Sequence, residues 1–133
     1  MTPQQKYEHW LDIAQYDLET ADAMLSSGRW LYVVFMCQQA VEKLSKGLYT
    51  LYIDDNIPRT HNINKIIEHF EDKISTIVSV EKLDFFDTLS AYYLNNRYPD
   101  FMEKLSSQIK EPEATKILNE TREVFKWLLT LKP

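Results

Sequence analysis

Between Arg29 and Ile53 the residues Trp30, Val33, Val34, Cys37, Val41, Leu44, Leu48 and Leu51 recur every three or four positions, the spacing of one helical face. The first half of this stretch, Trp30 to Met36, is apolar nearly all round. A helix of that kind lies between other helices rather than outside them. Polar residues return in its second half as Gln38, Gln39, Glu42, Lys43 and Lys46. This is the most hydrophobic long element of the chain, and the others are expected to pack round it.

An earlier stripe, Tyr7, Trp10, Leu11, Ala14, Leu18, Ala21 and Leu25, predicts a first helix whose other face carries Glu8, Asp12, Asp17, Glu19 and Asp22. Thr2-Pro3-Gln4-Gln5 supplies a cap, a proline suited to the first turn and a capping-box partner. Ser26-Ser27-Gly28 ends the helix, with Gly28 able to take the left-handed closing conformation. So short a connection makes the first two helices an antiparallel hairpin. Asp54-Asp55-Asn56 and Pro58 stop the second helix. Gly47, inside it, costs roughly 1 kcal/mol against alanine. It permits close helix approach or leaves room for a ligand, and close approach is the expectation.

Pro58-Arg59-Thr60-His61-Asn62 reads as a loop, with Thr60 and Asn62 as possible caps. Ile63, Ile66, Ile67, Phe70 and Ile74 give a third helix its face. After a looser stretch from Ser75 to Glu81, a fourth helix covers about Lys82 to Asn95, with Leu83, Phe86, Leu89, Ala91 and Tyr93 leaning inward. Pro99 holds Tyr98 extended and blocks simple helix continuation. Phe101 to Glu111 reads as a loop with a short helical turn. Pro112 starts the last helix, whose stripe is Ala114, Ile117, Leu118, Thr121, Val124, Phe125 and Leu128. The expected architecture is all-α, an up-down bundle of four long helices plus one or two short ones in a single domain over 1–133.

Composition narrows the function. The chain has 133 residues, with 20 acids against 15 bases and a formal charge of −5. An acidic chain is a poor non-specific nucleic-acid binder, because phosphate affinity comes mainly from massed Lys and Arg. No DNA partner is expected, and any phosphate site must be a local basic pocket. The single cysteine, Cys37, reads as a buried structural thiol. With no secretory signal peptide and no apolar run of spanning length, the expected compartment is the cytoplasm, without membrane association.

No cysteine pair and no His-Glu-x-x-His supports zinc, and none of His9, His61 or His69 has a glutamate three positions ahead of it, as di-iron bundles require. No metal or cofactor is expected. Neither a phosphate loop nor a Gly-x-Ser-x-Gly is present. Two polar clusters remain. In the first, Gln39, Lys43 and Lys46 share a helical face and Glu42–Lys46 is an i,i+4 pair, which by itself describes a solvated face with one weak ion pair. In the second, Arg97-Tyr98-Pro99-Asp100 stands with Arg59 and His61 of the other loop. Arg97 can grip a phosphate bidentately, or pair with Asp100 or Glu42 and lock the loop. His61 brings an imidazole, the side-chain type that exchanges its proton near neutral pH.

Three segments in order, Gln39-Ala40-Val41-Glu42-Lys43 with Lys46, then Pro58 to Ile63, then Tyr93 followed by Arg97-Tyr98-Pro99-Asp100, resemble the HEPN domain over about Tyr7 to Leu128. The resemblance implies a helical bundle, commonly a homodimer, and in many members an association with a minimal nucleotidyltransferase in toxin–antitoxin pairs. Many HEPN proteins are metal-independent ribonucleases marked by Arg, four to six residues, then His. Counted from Arg97, those positions are Met102, Glu103 and Lys104, and no histidine follows His69. The usual general acid or base for a ribose hydroxyl is therefore missing.

Three readings follow. The first is a binding module that holds a nucleotide or RNA phosphate through Arg97 with Lys43, Lys46, Arg59 and His61, Gln39, Glu42, Tyr93, Tyr98, Pro99 and Asp100 belonging to the matched motifs. The second is a purely structural assembly domain locked by Arg97–Glu42 or Arg97–Asp100. The third is a ribonuclease toxin that uses Arg97 and a displaced base such as His61. Trp30, Tyr32 and Tyr92 are candidates for a dimer interface, since the chain carries more aromatics than one small core needs.

Overall fold

The computed structural model describes residues 1–133. Its first helix, α1 (Pro3–Ser26), begins with a complete capping box: Thr2 Oγ1 accepts from Gln5 N at 3.1 Å, and Gln5 Oε1 accepts from Thr2 N at 2.9 Å. At the other end Gly28 has φ +73°, its N–H donates to Leu25 O, and the Arg29 N–H donates to Met24 O. That pair of bonds satisfies carbonyls a helix otherwise leaves bare and reverses the chain at once.

The helix that follows, α2 (Trp30–Tyr52), runs back along α1. Asp17 meets Lys43, while Tyr7 and Trp10 meet Gly47, so the contacts advance in opposite directions along the two helices. A β-carbon at Gly47 would lie 3.0 Å from Trp10 Cβ and 3.3 Å from Tyr7 Cδ2. The glycine therefore permits close approach of α1 and α2. Every other helix also touches α2, as its all-round apolarity requires. Cys37 is fully buried, and burial pushes its thiol up to about 12, against smaller lowering effects of a hydrogen bond with Thr121 and the charge of Arg122.

The third helix is shorter than its stripe suggests. Only Ile63–Ile67 (α3) is α-helical, and Glu71–Lys73 is a 3-10 turn. Bonds from His69 N to Ile66 O and from Phe70 N to Ile67 O tighten the chain out of the α-helix. The apolar positions keep their role, because Ile63, Ile66, Ile67 and Phe70 are all buried. Phe70 stacks on Tyr52 at 5.5 Å between ring centroids.

Ser79 caps α4 (Val80–Leu94) by accepting from Lys82 N, so this helix starts two residues before its expected position. Phe86, Leu89 and Ser90 are buried, whereas Ala91, expected inward, is exposed. A larger departure is α5 (Pro99–Gln108), a regular ten-residue helix where a loop with a short helical turn is expected. Tyr98 is extended and α4 has ended at Leu94, as expected, but Pro99 also starts this new helix. Proline lacks only a donor that a first-turn residue cannot use, and its fixed φ suits that position. Asp100 adds a favourable charge in the first turn, and buried Leu105 anchors the helix against the core. The last helix, α6 (Glu111–Leu129), has Pro112 in its first turn and buries Ala114, Leu118, Thr121, Val124, Phe125 and Leu128. The result is an all-α bundle with four long helices, two short ones and one 3-10 turn. No helix is long and apolar enough to cross a membrane.

Candidate functional site

The polar residues of α2 are not a solvated face. Gln38 is fully buried and the Glu42 side chain is 4% exposed. Glu42 Oε1 lies 2.9 Å from His61 Nδ1 and accepts from Gln38 Nε2 at 3.0 Å, while Oε2 accepts from Lys46 Nζ at 2.9 Å. Gln38 Nε2 also donates to the His61 carbonyl at 2.8 Å, and Gln38 Oε1 accepts from Gln39 Nε2 at 2.7 Å. A carboxylate buried this deeply is stable only with such partners.

Local structure delivers His61 to that carboxylate. Thr60 Oγ1 accepts from Asn62 N, Asn62 Oδ1 caps α3 by accepting from Lys65 N, and Ile63 N donates to Ser90 Oγ on α4. The loop is thus fastened to α2 on one side and to α4 on the other. The His61 ring rests against Tyr93 of α4, 4.9 Å between centroids, and the side chain remains 51% exposed. A carboxylate oxygen can only accept, so the Nδ1 contact favours the tautomer protonated there and leaves Nε2 as an acceptor.

Arg97 stands apart from this network. It follows Tyr93 by four residues, beyond the end of α4, and is exposed. Its guanidinium carbon is 5.1 Å from the Tyr98 ring centroid, and Nη2 donates to Tyr98 Oη at 3.2 Å. It pairs with neither Glu42 nor Asp100, so the loop-locking ion pair expected of a structural domain is not formed. Glu42 is taken by other partners, and Asp100 sits in the first turn of α5. Tyr98 is the residue before that helix and Pro99 its first.

The expected basic residues therefore divide. Lys43 Nζ is bound to Asp17 Oδ2 at 2.6 Å and fastens α2 to α1; Lys46 is bound to Glu42 and lies 6.0 Å from the Trp10 ring. Arg59 and Arg97 are exposed and carry no ion pair. Glu42, Lys46, His61 and Tyr93 come together; the side chains of Lys43, Arg59 and Arg97 make no hydrogen bond or ion pair with them. Three participants lie outside the sequence-based set: Gln38, Asp17 and Ser90. Asp17, expected on the polar face of α1, is instead buried; a signal for this exists, since it falls three residues after Ala14 and four before Ala21, in register with the buried stripe.

The HEPN domain family matches residues 7–131. The chain belongs to that family. Among solved structures it is similar to TT1696 from Thermus thermophilus, with 21% identity, a TM-score of 0.79, and 94% of this chain and 97% of that one covered. That likeness speaks for the fold. No curated protein sequence matches. As a HEPN domain the chain is a nucleotide- or RNA-related module. Its departure from the Arg-x4–6-His pattern has a structural counterpart: Met102, Glu103 and Lys104 lie on α5, and the imidazole present at the Glu42 cluster comes from the opposite direction in the chain, ahead of α3.

Proposed function

We propose that this HEPN domain binds a nucleotide or an RNA phosphate and serves as a protein-interaction module, as the HEPN half of a toxin–antitoxin pair with a minimal nucleotidyltransferase, in a homodimer. The observation that carries the phosphate reading is Arg97: an exposed guanidinium, stacked on Tyr98, with no carboxylate on it. Lys43 and Lys46, by contrast, are each held by a carboxylate. An unpaired guanidinium keeps its full capacity for a bidentate grip on phosphate. Arg97 and Arg59 are the primary ligands in this reading. His61 is a further donor when protonated, and Lys43 and Lys46 act at longer range.

The test is an amide NMR titration of the labelled protein with ATP and then with a short RNA, run beside Arg97→Ala. Shifts centred on Arg97, His61 and Lys46 that disappear in the folded variant are expected. No shifts at millimolar ligand in either protein would leave only the interaction module.

A second reading has its own support. Glu42 holds Nδ1 of an otherwise exposed imidazole, the arrangement in which a histidine acts as a general base through Nε2. A metal-independent ribonuclease would use His61 to take the ribose 2′-hydroxyl proton as that oxygen bonds to phosphorus, and Arg97 to stabilise the phosphorane charge; the bond to the 5′-oxygen breaks, and that oxygen takes its proton from water. It predicts RNA cleavage in EDTA that is lost in both His61→Ala and Arg97→Ala. Intact RNA after incubation with the partner-free wild-type protein would sink it.

A further inference from the structure

The face of α4 beside the His61 contact borders a different kind of surface. Tyr93 packs on His61, and its chain neighbour Tyr92, about 100° further round the helix, lines a groove between α4 and α6. The groove has a volume of about 480 Å³ and continues into a second hollow of about 350 Å³ that shares Glu81, Phe85 and Glu120 with it. Its floor is apolar, built from Phe85, Tyr92, Ile117 and Trp127. Its walls carry the carboxylates Glu81, Asp84, Glu113, Glu120 and Glu123 against two ammonium groups, Lys82 and Lys116. None of these five carboxylates is in an ion pair. Val80, in the first turn of α4, is 69% exposed, and Ile77, in the loop before it, is 89% exposed.

We infer that this groove docks a basic amphipathic helix of a partner protein. The shape suits a helix, because the groove follows two helices from Glu113 to Trp127, roughly 20 Å at 1.5 Å per residue. An apolar floor between helices takes the apolar face of a third at i, i+3, i+4 and i+7 spacing. The walls select its charge: Lys or Arg flanking that face would meet unpaired carboxylates on both sides. The protein's own Lys82 displays the contact in miniature, its ammonium 4.8 Å from the centroid of the Trp127 ring. A second copy of this chain is disfavoured, since a two-fold contact through this face would set the same carboxylates against each other. Nucleic acid is repelled by the same charges. The inference does not depend on phosphate binding at Arg97.

The test uses the full chain and a fluorescein-labelled 15-residue peptide of Leu and Lys at helical spacing, with a Leu/Glu peptide of the same pattern as control. Anisotropy should give micromolar binding of the Leu/Lys peptide, none of the Leu/Glu peptide, and NMR shifts confined to α4 and α6. Glu120→Lys combined with Glu123→Lys, both exposed positions, should weaken binding at least tenfold while the circular dichroism spectrum stays unchanged. Ile117→Asp should do the same through the floor, and Arg97→Ala should leave the affinity as it was. Shifts that map elsewhere, or an affinity indifferent to charge reversal, would overturn the inference. So would sedimentation showing a wild-type dimer that the charge-reversed variant cannot form, because the occupant would then be a second copy.

Discussion

Glu42 and Arg97 both belong to motifs by which the chain resembles its family, yet the protein treats them in opposite ways. Glu42 is almost fully buried and meets three side chains: Gln38, Lys46 and His61. Arg97 is exposed, and its only side-chain partner is the tyrosine next to it. A buried carboxylate that holds three donors cannot change partners without leaving donors unsatisfied. Its role is to fix other groups, above all the His61 loop. A guanidinium resting on an aromatic ring loses little when a phosphate arrives. The contrast separates a charge that builds the site from one that is free to recognise something.

The largest test of that contrast is Glu42→Ala. It strips Gln38 and His61 of a shared acceptor and leaves the Lys46 ammonium, on a side chain 15% exposed, without its counter-charge. Breaking a buried pair from one side costs about 3–5 kcal/mol. Because His61 is half in solvent and Lys46 can swing outward, a loss of about 2–4 kcal/mol in urea unfolding is expected here. Glu42→Gln keeps an acceptor for the imidazole and should lose about half as much. A change below about 0.5 kcal/mol in Glu42→Ala would show that the cluster is not what holds the loop.

Gly47→Ala probes the same helix through packing instead of charge. The new methyl gains about 1 kcal/mol of helix propensity. It also meets Trp10 Cβ at 3.0 Å and Tyr7 Cδ2 at 3.3 Å, and overpacking of that order costs about 1–3 kcal/mol. A net destabilisation of about 1 kcal/mol is expected, measured by urea titration. A stabilised variant would mean that α1 yields more readily than the packing suggests.

The long helices are legible in the sequence because apolar spacing, caps and breakers agree. Thr2, Gly28 and Asn62 each act as their residue types predict. α5 is not legible, because Pro99 admits two outcomes, a stop for the helix before it or a start for the one after, and local sequence does not decide between them. α3 comes out too long because the stripe from Ile63 to Phe70 reports burial, which a 3-10 turn achieves as well as an α-helix. At the site, the i,i+4 pair Glu42–Lys46 is visible from spacing, but its burial is not. Burial depends on a loop 19 residues further along that folds back over α2, and no window of local sequence contains both. Lys43 groups with the phosphate ligands by sequence because it shares a face with Lys46; Asp17, on another helix, gives it a different task.

Arg97→Ala should have the smallest effect on stability and the sharpest on recognition. The substitution removes one exposed hydrogen bond and one exposed cation–π contact, both to Tyr98. Surface changes of this kind fall within about 0.5 kcal/mol, and an exposed cation–π contact is worth roughly 0.5–1 kcal/mol at most. Urea unfolding of the variant should therefore superimpose on the wild type to within that range, while the ATP-induced amide shifts at His61 and Lys46 vanish. If Arg97→Ala instead costs as much as Glu42→Ala, Arg97 is held by contacts beyond Tyr98, and the division between a building charge and a recognising charge fails at the residue on which phosphate binding depends.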